Sequence, residues 1–414
     1  MSVVNLAMEL GKLKMVSSKD PKEQFAKKAT FAAGFLMLEQ LFKSAGADVF
    51  YIDGKGDKHK QVESVETPYK TIVAAKGNPE KIFTGHIDVV PGNESQFEPK
   101  QEEDKLIMRG ACDMLAPVAA MAHAFEETKA DNVWFALSDS EEIGEMPGGI
   151  ITFVKLYEHL LKQHAEFVCD PDGGNGEIVL GQKAVKLIKL IATGKNAHAS
   201  KPSQGSNAIL LLAQQIIYLN QFLNGSPAGF IGVREGSTNS HDVDDVTSTV
   251  VTFNGGKQKN QVPAYAQAEV DLRFWPEQEK KILAILSNTH FGSDILSIFS
   301  GINVEEIFSI PGWIAKDTKQ IEYLATLMHK FGMPVTQSLS TGNSDASLFA
   351  DIAPILMVRP ISANQHGPEE WVDTLSLIAF NRLMGALMTD AIANNTFVNT
   401  GMYIVDSYGH HYGR

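Results

Sequence analysis

The segment Thr84 to Gly92 (T-G-H-I-D-V-V-P-G) places a histidine and a carboxylate two residues apart inside an apolar run. Side chains at positions i and i+2 of a β-strand point to the same face, so His86 and Asp88 are predicted to meet. One interpretation is a core histidine paired with a carboxylate, and the segment taken alone favours it. The other is a metal-binding histidine whose second ring nitrogen is held by Asp88.

Acidic residues lie at three further junctions of the chain. Asp113 precedes a predicted helix. Glu141 and Glu142 follow one predicted strand, and Asp170 ends another. In an open α/β sheet, ligands bind outside the carboxyl ends of the strands, so we expect these side chains in one crevice. Such a concentration of negative charge is costly unless a cation lies within it.

A second histidine, His366, occurs in N-Q-H-G-P-E-E-W-V at a predicted strand-to-helix junction. Two histidines, two aspartates and one glutamate suit a pair of divalent cations, with one carboxylate bridging them. Zinc is the first candidate, and cobalt and manganese are the alternatives. The other glutamate of the Glu141–Glu142 pair then remains free to act as a base.

The predicted elements that must position these residues alternate between strands and helices. Strands are predicted at 48–53, 71–75, 81–90, 132–138, 166–169 and 353–358, and helices at 20–45, 117–128, 149–164, 319–331 and 374–394. Between them, strands at 184–193, 247–254 and 264–275 and helices at 206–223 and 276–290 form a separate pattern. The sequence therefore predicts an α/β domain with a mixed, mostly parallel sheet flanked by helices, interrupted by an inserted α+β module.

Composition excludes several classes of function. The net charge of −13 argues against a nucleic-acid partner. The sequence contains no run of 18 apolar residues, so we expect no membrane span. The N-terminus is a poor signal peptide and two cysteines make no disulfide framework, so we expect a cytoplasmic protein. The H-E-x-x-H motif of mononuclear zinc proteases and the G-x-S-x-G motif of serine hydrolases are both missing from the sequence.

In their order along the chain and in their residues, the motifs from Gly85 to Val372 resemble those of the dinuclear zinc metallo-aminoacylase/carboxypeptidase family. That family includes succinyl-diaminopimelate desuccinylase, acetylornithine deacetylase and glutamate carboxypeptidase. The resemblance implies that Asp113 bridges two metals, that Asp88 orients His86, and that Glu141 is the general base. The base would take a proton from a metal-bridging water and deliver it to the leaving amine. The remaining metal ligands implied are His86, Glu142, Asp170 and His366.

The inserted module resembles the lid of the same family. N-A-H-A-S-K-P-S-Q-G matches a motif whose histidine stabilises the oxyanion in a neighbouring subunit, which assigns that role to His198 and implies a homodimer. The domains implied are a metal-binding catalytic domain at 1–184 and 296–414 and a ferredoxin-like lid or dimerisation domain at 185–295. The positions that match substrate-lining segments are Asn254, Asn260, Arg273 and Gly342.

Arg273 has two interpretations. It matches an arginine that binds a substrate carboxylate in some relatives, a task that suits a bidentate guanidinium. It could equally form a structural salt bridge with Asp271 or another neighbour.

Two segments depart from the pattern of the resembled family. Leu115-Ala116-Pro117 stands where the family has Lys-Gly-Gly, and residues 181–185 read G-Q-K-A-V where desuccinylases carry an arginine-rich segment. The sequence still predicts a two-metal-dependent hydrolase of an amide bond in an N-acyl amino acid or a short peptide. The alternative is a catalytically weakened relative that binds a peptide or an amino acid without turnover.

Overall fold

The computed structural model describes residues 1–144, 149–223, 246–286, 302–315, 318–390, 404–405 and 411–412. The chain divides into two compact units. The larger unit comprises Met1–Gly181, Ala315–Ser340 and Ser344–Arg414, and the smaller comprises Gln182–Ile314 and Thr341–Asn343. Residues 302–314, which the prediction assigned to the catalytic domain, lie in the smaller unit, because the strand Ile302–Ile310 pairs with the strand Ala184–Thr193. Among the helices that the structure describes, none has the length and apolar character needed to cross a bilayer.

The α-helices of the described residues are α1 (Val3–Gly11), α2 (Pro21–Ala26), α3 (Lys28–Ser44), α4 (Leu115–Thr128), α5 (Gly149–His164), α6 (Ala208–Leu223), α7 (Glu279–Leu286), α8 (Thr318–Lys330) and α9 (Thr374–Thr389). The strands that precede residue 200 are β1 (Asp48–Asp53), β2 (Lys58–His59), β3 (Lys70–Lys76), β4 (Lys81–His86), β5 (Lys100–Glu102), β6 (Lys105–Ile107), β7 (Val133–Ser138), β8 (Phe167–Cys169), β9 (Ile178–Gln182), β10 (Ala184–Thr193) and β11 (Ala197–His198). The later strands are β12 (Thr247–Gly255), β13 (Gln261–Val262), β14 (Tyr265–Phe274), β15 (Ile302–Ile310), β16 (Trp313–Ile314), β17 (Gln337–Ser340), β18 (Ile355–Leu356), β19 (Ser362–Ala363), β20 (Trp371–Asp373), β21 (Ile404–Val405) and β22 (His411–Tyr412).

The central sheet of the larger unit has the strand order β18-β8-β4-β7-β3-β1-β2. Strands β18, β8, β4 and β7 run parallel, and β3, β1 and β2 continue the sheet in antiparallel pairs. Every residue of β4 and β7 is buried, as expected for strands covered on both faces. The predicted α/β fold class, with a mixed sheet and an inserted α+β unit, is confirmed.

Alternate side chains of the central strands pack into two separate cores. Phe83 and Phe135 stack with ring centroids 5.2 Å apart, and Phe135 also contacts Phe42 of α3 at 4.7 Å. Ile82 and Trp134 belong to a second cluster that includes side chains of α5. The strands are therefore fixed from both sides, and their carboxyl ends form a rigid platform.

A smaller sheet of the larger unit has the order β19-β20-β6-β5. Strand β6 pairs with β20 through Leu106 and Val372, which lie opposite each other. Asp113 follows β6 in the chain, and His366 lies between β19 and β20. This sheet therefore brings two segments that are more than 250 residues apart to the same place.

The smaller unit is an antiparallel sheet, β12-β14-β10-β15, packed against α6 and α7. Strands β10 and β14 pair along their whole length, and their buried residues alternate, as the sequence predicts. Strands β12 and β15 form the two edges of this sheet. Residues 287–290 of the predicted helix 276–290 lie outside the described residues.

Two sequence predictions about the larger unit are wrong. The strand predicted at 81–90 ends at His86, because the chain leaves the sheet there, so Asp88 is not on the strand and the same-face argument does not apply. The helix predicted at 20–45 is divided at Lys27, whose backbone (φ −88°, ψ 5°) leaves the helical region and whose Nζ donates to the Val16 carbonyl. Residues 391–394 of the last predicted helix lie outside the described residues.

Candidate metal centre

Three adjacent parallel strands deliver functional side chains to one edge of the central sheet. His86 is the last residue of β4, Glu141 and Glu142 follow β7, and Asp170 and Asp172 follow β8. Because β8, β4 and β7 are neighbours, their carboxyl ends meet. This arrangement brings the side chains at the carboxyl ends of the three strands together, as predicted.

Asp113 stands between the two histidines. Its Oδ1 lies 2.9 Å from Nε2 of His86, and its Oδ2 lies 3.0 Å from Nε2 of His366. Gln365 Nε2 also donates to Oδ2. His86 and Asp113 are buried, whereas His366 exposes about half of its side chain (47%). Each oxygen of one carboxylate therefore faces a different imidazole.

Each histidine also has a second carboxylate nearby. Glu142 Oε2 lies 3.3 Å from Nε2 of His366, and the other oxygen of Glu142 is buried with no hydrogen-bond partner in the structure. Asp172 Oδ2 and Glu141 Oε2 lie 3.9 Å and 4.0 Å from Nε2 of His86. Among the described residues, the groups whose ligand atoms lie within 4.8 Å of one another are His86–Asp113–Glu142 and His86–Glu141–Asp172.

Asp170, predicted from sequence as a ligand, belongs to neither of these groups. Its Oδ1 accepts from the backbone N–H of Asp172 at 3.0 Å, and its Oδ2 accepts from the Ser344 hydroxyl at 3.4 Å. The carboxylate that follows β8 and faces His86 is that of Asp172, which sequence reasoning missed. The signal was present in Asp170-Pro171-Asp172, because both aspartates directly follow a predicted strand and the carboxyl-end rule applies to each.

Asp88 contacts both the histidine and the glutamate pair. His86 Nδ1 lies 2.9 Å from the Asp88 carbonyl oxygen and 3.4 Å from its Oδ1. The backbone N–H groups of Glu141 and Glu142 donate to Asp88 Oδ1 and Oδ2 at 3.1 Å and 3.0 Å. The Asp88 carboxylate is thus the acceptor that fixes the start of the Glu141–Glu142 turn as well as a neighbour of His86.

Gly85 allows the segments of His86 and Asp113 to approach each other. Its φ of 154° is rare for a residue with a side chain, and an added Cβ would come within 2.4 Å of Met114 Cε. The Met114 sulfur lies 3.4 Å from the backbone nitrogen of His86. Gly85 and Met114 are therefore packed directly against each other, one residue before His86 and one residue after Asp113.

The ionisation of the centre reflects an excess of buried negative charge. Burial raises the pKa of Glu141 and of Asp172 well above the usual range, and neighbouring carboxylates add to both shifts. Burial disfavours the protonated His86 ring, but its contacts with Asp113 and Asp88 raise its pKa well above the usual value. Hydrogen bonds to Asp113 and Glu142 raise the pKa of His366 to about 10. Asp113 is the exception: burial alone would raise its pKa, but hydrogen bonds from His366 and His86 hold it well below the usual value. The other groups named bind protons tightly, as expected where a cation completes the charge balance.

The donor set fits divalent metal ions. Imidazole nitrogens and carboxylate oxygens are the groups that zinc, cobalt and manganese accept, and the buried Glu142 oxygen has an unused acceptor site. Both cysteines are buried, and neither belongs to the two groups of ligand atoms found among the described residues.

The site residues predicted in the smaller unit are exposed or make local contacts within that unit. His198 is exposed, and its Nδ1 lies 2.8 Å from the Ser200 hydroxyl. Arg273 donates from Nε and Nη2 to the two carboxylate oxygens of Asp271 at 2.7 Å and 3.0 Å, which is the salt bridge named as its second interpretation. The other predicted substrate-lining residues are exposed: Asn254, Asn260 and Gly342.

Comparison with known proteins gives a family match over most of the chain. A family model described as peptidase family M20/M25/M40 matches residues 82–389, which include all the candidate ligands described above. A succinyl-diaminopimelate desuccinylase from Novosphingobium aromaticivorans is 24% identical over 349 residues, covering 80% of this chain and 88% of that protein.

Solved structures share the fold. A tripeptidase from Staphylococcus aureus has a TM-score of 0.65 at 19% identity and covers 95% of this chain and 98% of its own. An M20 family metallo-carboxypeptidase from Sulfolobus solfataricus has a TM-score of 0.65 at 17% identity and covers 94% of this chain and 98% of its own. At these identities the likeness concerns the architecture of the chain.

Proposed function

We propose a reaction for this chain on the premise that it belongs to peptidase family M20/M25/M40, and is therefore a metallohydrolase of amide or peptide bonds. The proposed reaction removes an acyl group from an N-acyl amino acid, or an amino acid from a short peptide. The desuccinylase relative supports the first substrate class, and the peptidases of similar fold support the second. Side-chain specificity depends on loop geometry, which differs among members of one fold.

The observation that carries the proposal is the position of Asp113, whose two oxygens face two different histidines. A carboxylate shared in this way suits a bridge between two divalent metals. One metal would be held by His86, Asp113 and Asp172, and the other by His366, Asp113 and Glu142. This assignment replaces Asp170 by Asp172, because Asp172 belongs to a group of ligand atoms around His86 and Asp170 does not. Zinc is the proposed metal, with cobalt and manganese as alternatives.

Glu141 is the proposed general base. It lies 4.0 Å from His86 Nε2 and, unlike Glu142, makes no contact with His366. Burial raises its pKa, which suits a group that takes a proton from the attacking water and gives it to the leaving amine. Asp88 holds the backbone of Glu141 during this transfer. When bound, the metals would lower the pKa of water and polarise the scissile carbonyl.

The smaller unit would serve as the lid and the dimer interface. His198 is proposed to stabilise the oxyanion across a homodimer, and its exposure leaves it available for this role. The edge strand β12 presents Val251 and Phe253 with 51% and 41% of their surface exposed, which supports pairing with a second copy. A cytoplasmic location stays a prediction.

Substrate recognition is proposed to use the smaller unit. Arg273 would bind a substrate carboxylate through Nη1 and the second hydrogen of Nη2, because Asp271 occupies Nε and only one hydrogen of Nη2. The proposed additional contacts are Asn254, Asn260 and Gly342. If Arg273→Ala leaves the KM of every carboxylate substrate unchanged, Arg273 belongs only to the salt bridge.

Hydrolysis of a substrate panel tests the proposed function. Metal-stripped protein, with and without added zinc, would be assayed on N-succinyl-diaminopimelate, N-acetylornithine, other N-acetyl amino acids and several dipeptides. Zinc-dependent release of an amine from one member supports the two-metal hydrolase and identifies its substrate class. Two bound metals per chain without turnover of any member would favour the alternative of a binding protein. Failure to bind metal at all would overturn the assignment of the centre.

A further inference from the structure

The side chain of Glu370 is a fully enclosed carboxylate that accepts four hydrogen bonds. Arg109 Nη1 and the backbone N–H of Gly110 donate to its Oε2 at 2.6 Å and 3.1 Å. The backbone N–H groups of Cys112 and Asp113 donate to its Oε1 at 2.7 Å and 3.1 Å. One side chain near the end of the chain therefore holds the whole segment that leads into Asp113.

Arg109 extends this contact to two other segments. Its side chain is 3% exposed, and its Nη2 lies 3.3 Å from the carbonyl oxygens of Pro91 and His366. Pro91 follows the segment of His86 and Asp88, so the guanidinium joins three ligand-bearing segments. A guanidinium is suited to this task because its donors have a fixed planar geometry.

The segment of His366 needs such support. Asn364 and His366 both have a left-handed backbone, with φ of 62° and 60°. This conformation is uncommon for residues other than glycine and persists where the surroundings fix it. The Gln96 side chain donates to the Gly367 carbonyl at 2.8 Å, and the Arg109 guanidinium donates to the carbonyl of His366 itself.

We infer that the Arg109–Glu370 pair is a positioning unit that sets the distance between Asp113 and His366, and thereby the affinity of the centre for metal. The inference rests on the proposed function, because it takes Asp113 and His366 as ligands. Neither Arg109 nor Glu370 is assigned as a ligand or as a group that touches the substrate. The pair acts through hydrogen bonds to the backbone of both ligand-bearing segments.

Substitution of Glu370 disturbs this unit in a defined way. Each oxygen of the carboxylate accepts two hydrogen bonds, and an amide nitrogen accepts none, so Glu370→Gln loses two of the four in either orientation. Glu370→Asp keeps the charge and the acceptors but shortens the side chain by one methylene. Arg109→Lys keeps the positive charge but loses the planar set of donors that reaches Pro91 and His366.

Binding of zinc to the metal-free protein tests the inference, measured by competition with a chromophoric chelator. We expect Glu370→Gln to weaken the affinity by roughly 10- to 100-fold, the range found when groups that support metal ligands are removed. Glu370→Asp and Arg109→Lys should give smaller losses. Circular dichroism and thermal unfolding of the metal-free variants establish that each is folded at the assay temperature, and the two conservative variants serve if Glu370→Gln does not fold.

Glu39→Gln is the matched control. Glu39 is a buried glutamate (8% exposed) that accepts from the hydroxyl of Tyr51, far along the chain from every proposed ligand. It should lower thermal stability without changing the affinity for zinc. A control that weakens zinc binding as much as Glu370→Gln would overturn the inference, because general destabilisation would then explain both.

Zinc affinity equal to that of the wild type in the folded Glu370 and Arg109 variants would also overturn it, and the pair would be a structural ion pair only. This failure differs from failure of the proposed function. If the wild-type chain itself binds no metal, the assignment of the centre is at fault. If the wild type binds two zinc ions and the variants bind them equally well, only the inference is refuted.

Discussion

Replacement of Asp88 by asparagine tests how the proposed base is held in place. The two oxygens of Asp88 accept from the backbone N–H groups of Glu141 and Glu142, and the carboxylate is fully buried. An asparagine of the same shape offers one acceptor oxygen and one N–H donor. Both backbone N–H groups therefore lose their charged acceptor, and one of them faces another donor.

The size of the effect follows from these contacts. A hydrogen bond to a charged group contributes about 1.5–3 kcal/mol. These bonds are present in the free enzyme as well, so they act on the rate by holding Glu141 in position for the transition state. At about 1.36 kcal/mol for each tenfold change in rate, a loss transmitted in full to the transition state lowers kcat/KM by roughly 10- to 150-fold, which is the upper limit of the expected effect. The defect should lie in kcat, because Glu141 acts in the chemical step, and should persist when both metals are bound.

The assay is steady-state hydrolysis of the best panel substrate with zinc content measured on the same samples. Asp53→Asn is the control for removing a buried, hydrogen-bonded charge: Asp53 is also buried and accepts two backbone N–H groups at Oδ1, from Lys55 and Asp57 at 2.8 Å and 2.9 Å, in the β1–β2 hairpin. The control should leave kcat/KM unchanged. The reasoning fails if Asp88→Asn keeps wild-type kcat/KM, or if excess zinc restores it fully, since Asp88 would then act through His86 alone.

Three further predictions follow from the centre. Glu141→Gln should retain both metals and lose roughly 10²- to 10⁴-fold in kcat, the usual contribution of a general base, and retained activity would contradict this role. Asp172→Asn should lower the zinc content from two ions toward one per chain, whereas Asp170→Asn should keep both, and the reverse pattern would restore Asp170 as the ligand. Burial raises the pKa of Asp345 from 3.8 to about 8, so the folded chain holds this proton more tightly than the unfolded chain. The stability that this proton provides is fully present below the pKa that Asp345 has in the unfolded chain, and it is lost as the pH rises through the folded-state pKa of about 8. Asp345→Asn should therefore raise the Tm of the metal-free protein at pH 8 relative to the wild type but not at pH 4. A Tm difference that does not change with pH would contradict a raised pKa of Asp345 in the folded chain.

The fold was largely predictable from local patterns. Strands β1 and β7 consist mostly of apolar residues, which is typical of buried strands, and their predicted positions are close to those observed. The division of the helix predicted at 20–45 was not predictable, because the interruption falls at Lys27 and no helix-breaking residue stands there.

The sequence by itself determined which residue types meet. His86, Glu141 and Glu142 each end or follow a buried strand, and parallel strands bring such positions to one edge whatever the loops do. Only the tertiary structure decided between Asp170 and Asp172. Both follow β8, and the backbone N–H of Asp172 donates to Asp170 Oδ1 in a local turn, so the side chain that faces His86 depends on where the chain turns after β8.

The support of Asp113 by Glu370 was likewise decided by the tertiary structure. The two residues are separated by more than 250 positions and meet because β6 pairs with β20. Periodicity and spacing report which face of an element a residue occupies, since these are properties of neighbouring residues along the chain. They carry no information on which distant backbone N–H groups an enclosed carboxylate will meet, because that depends on how the sheets pack.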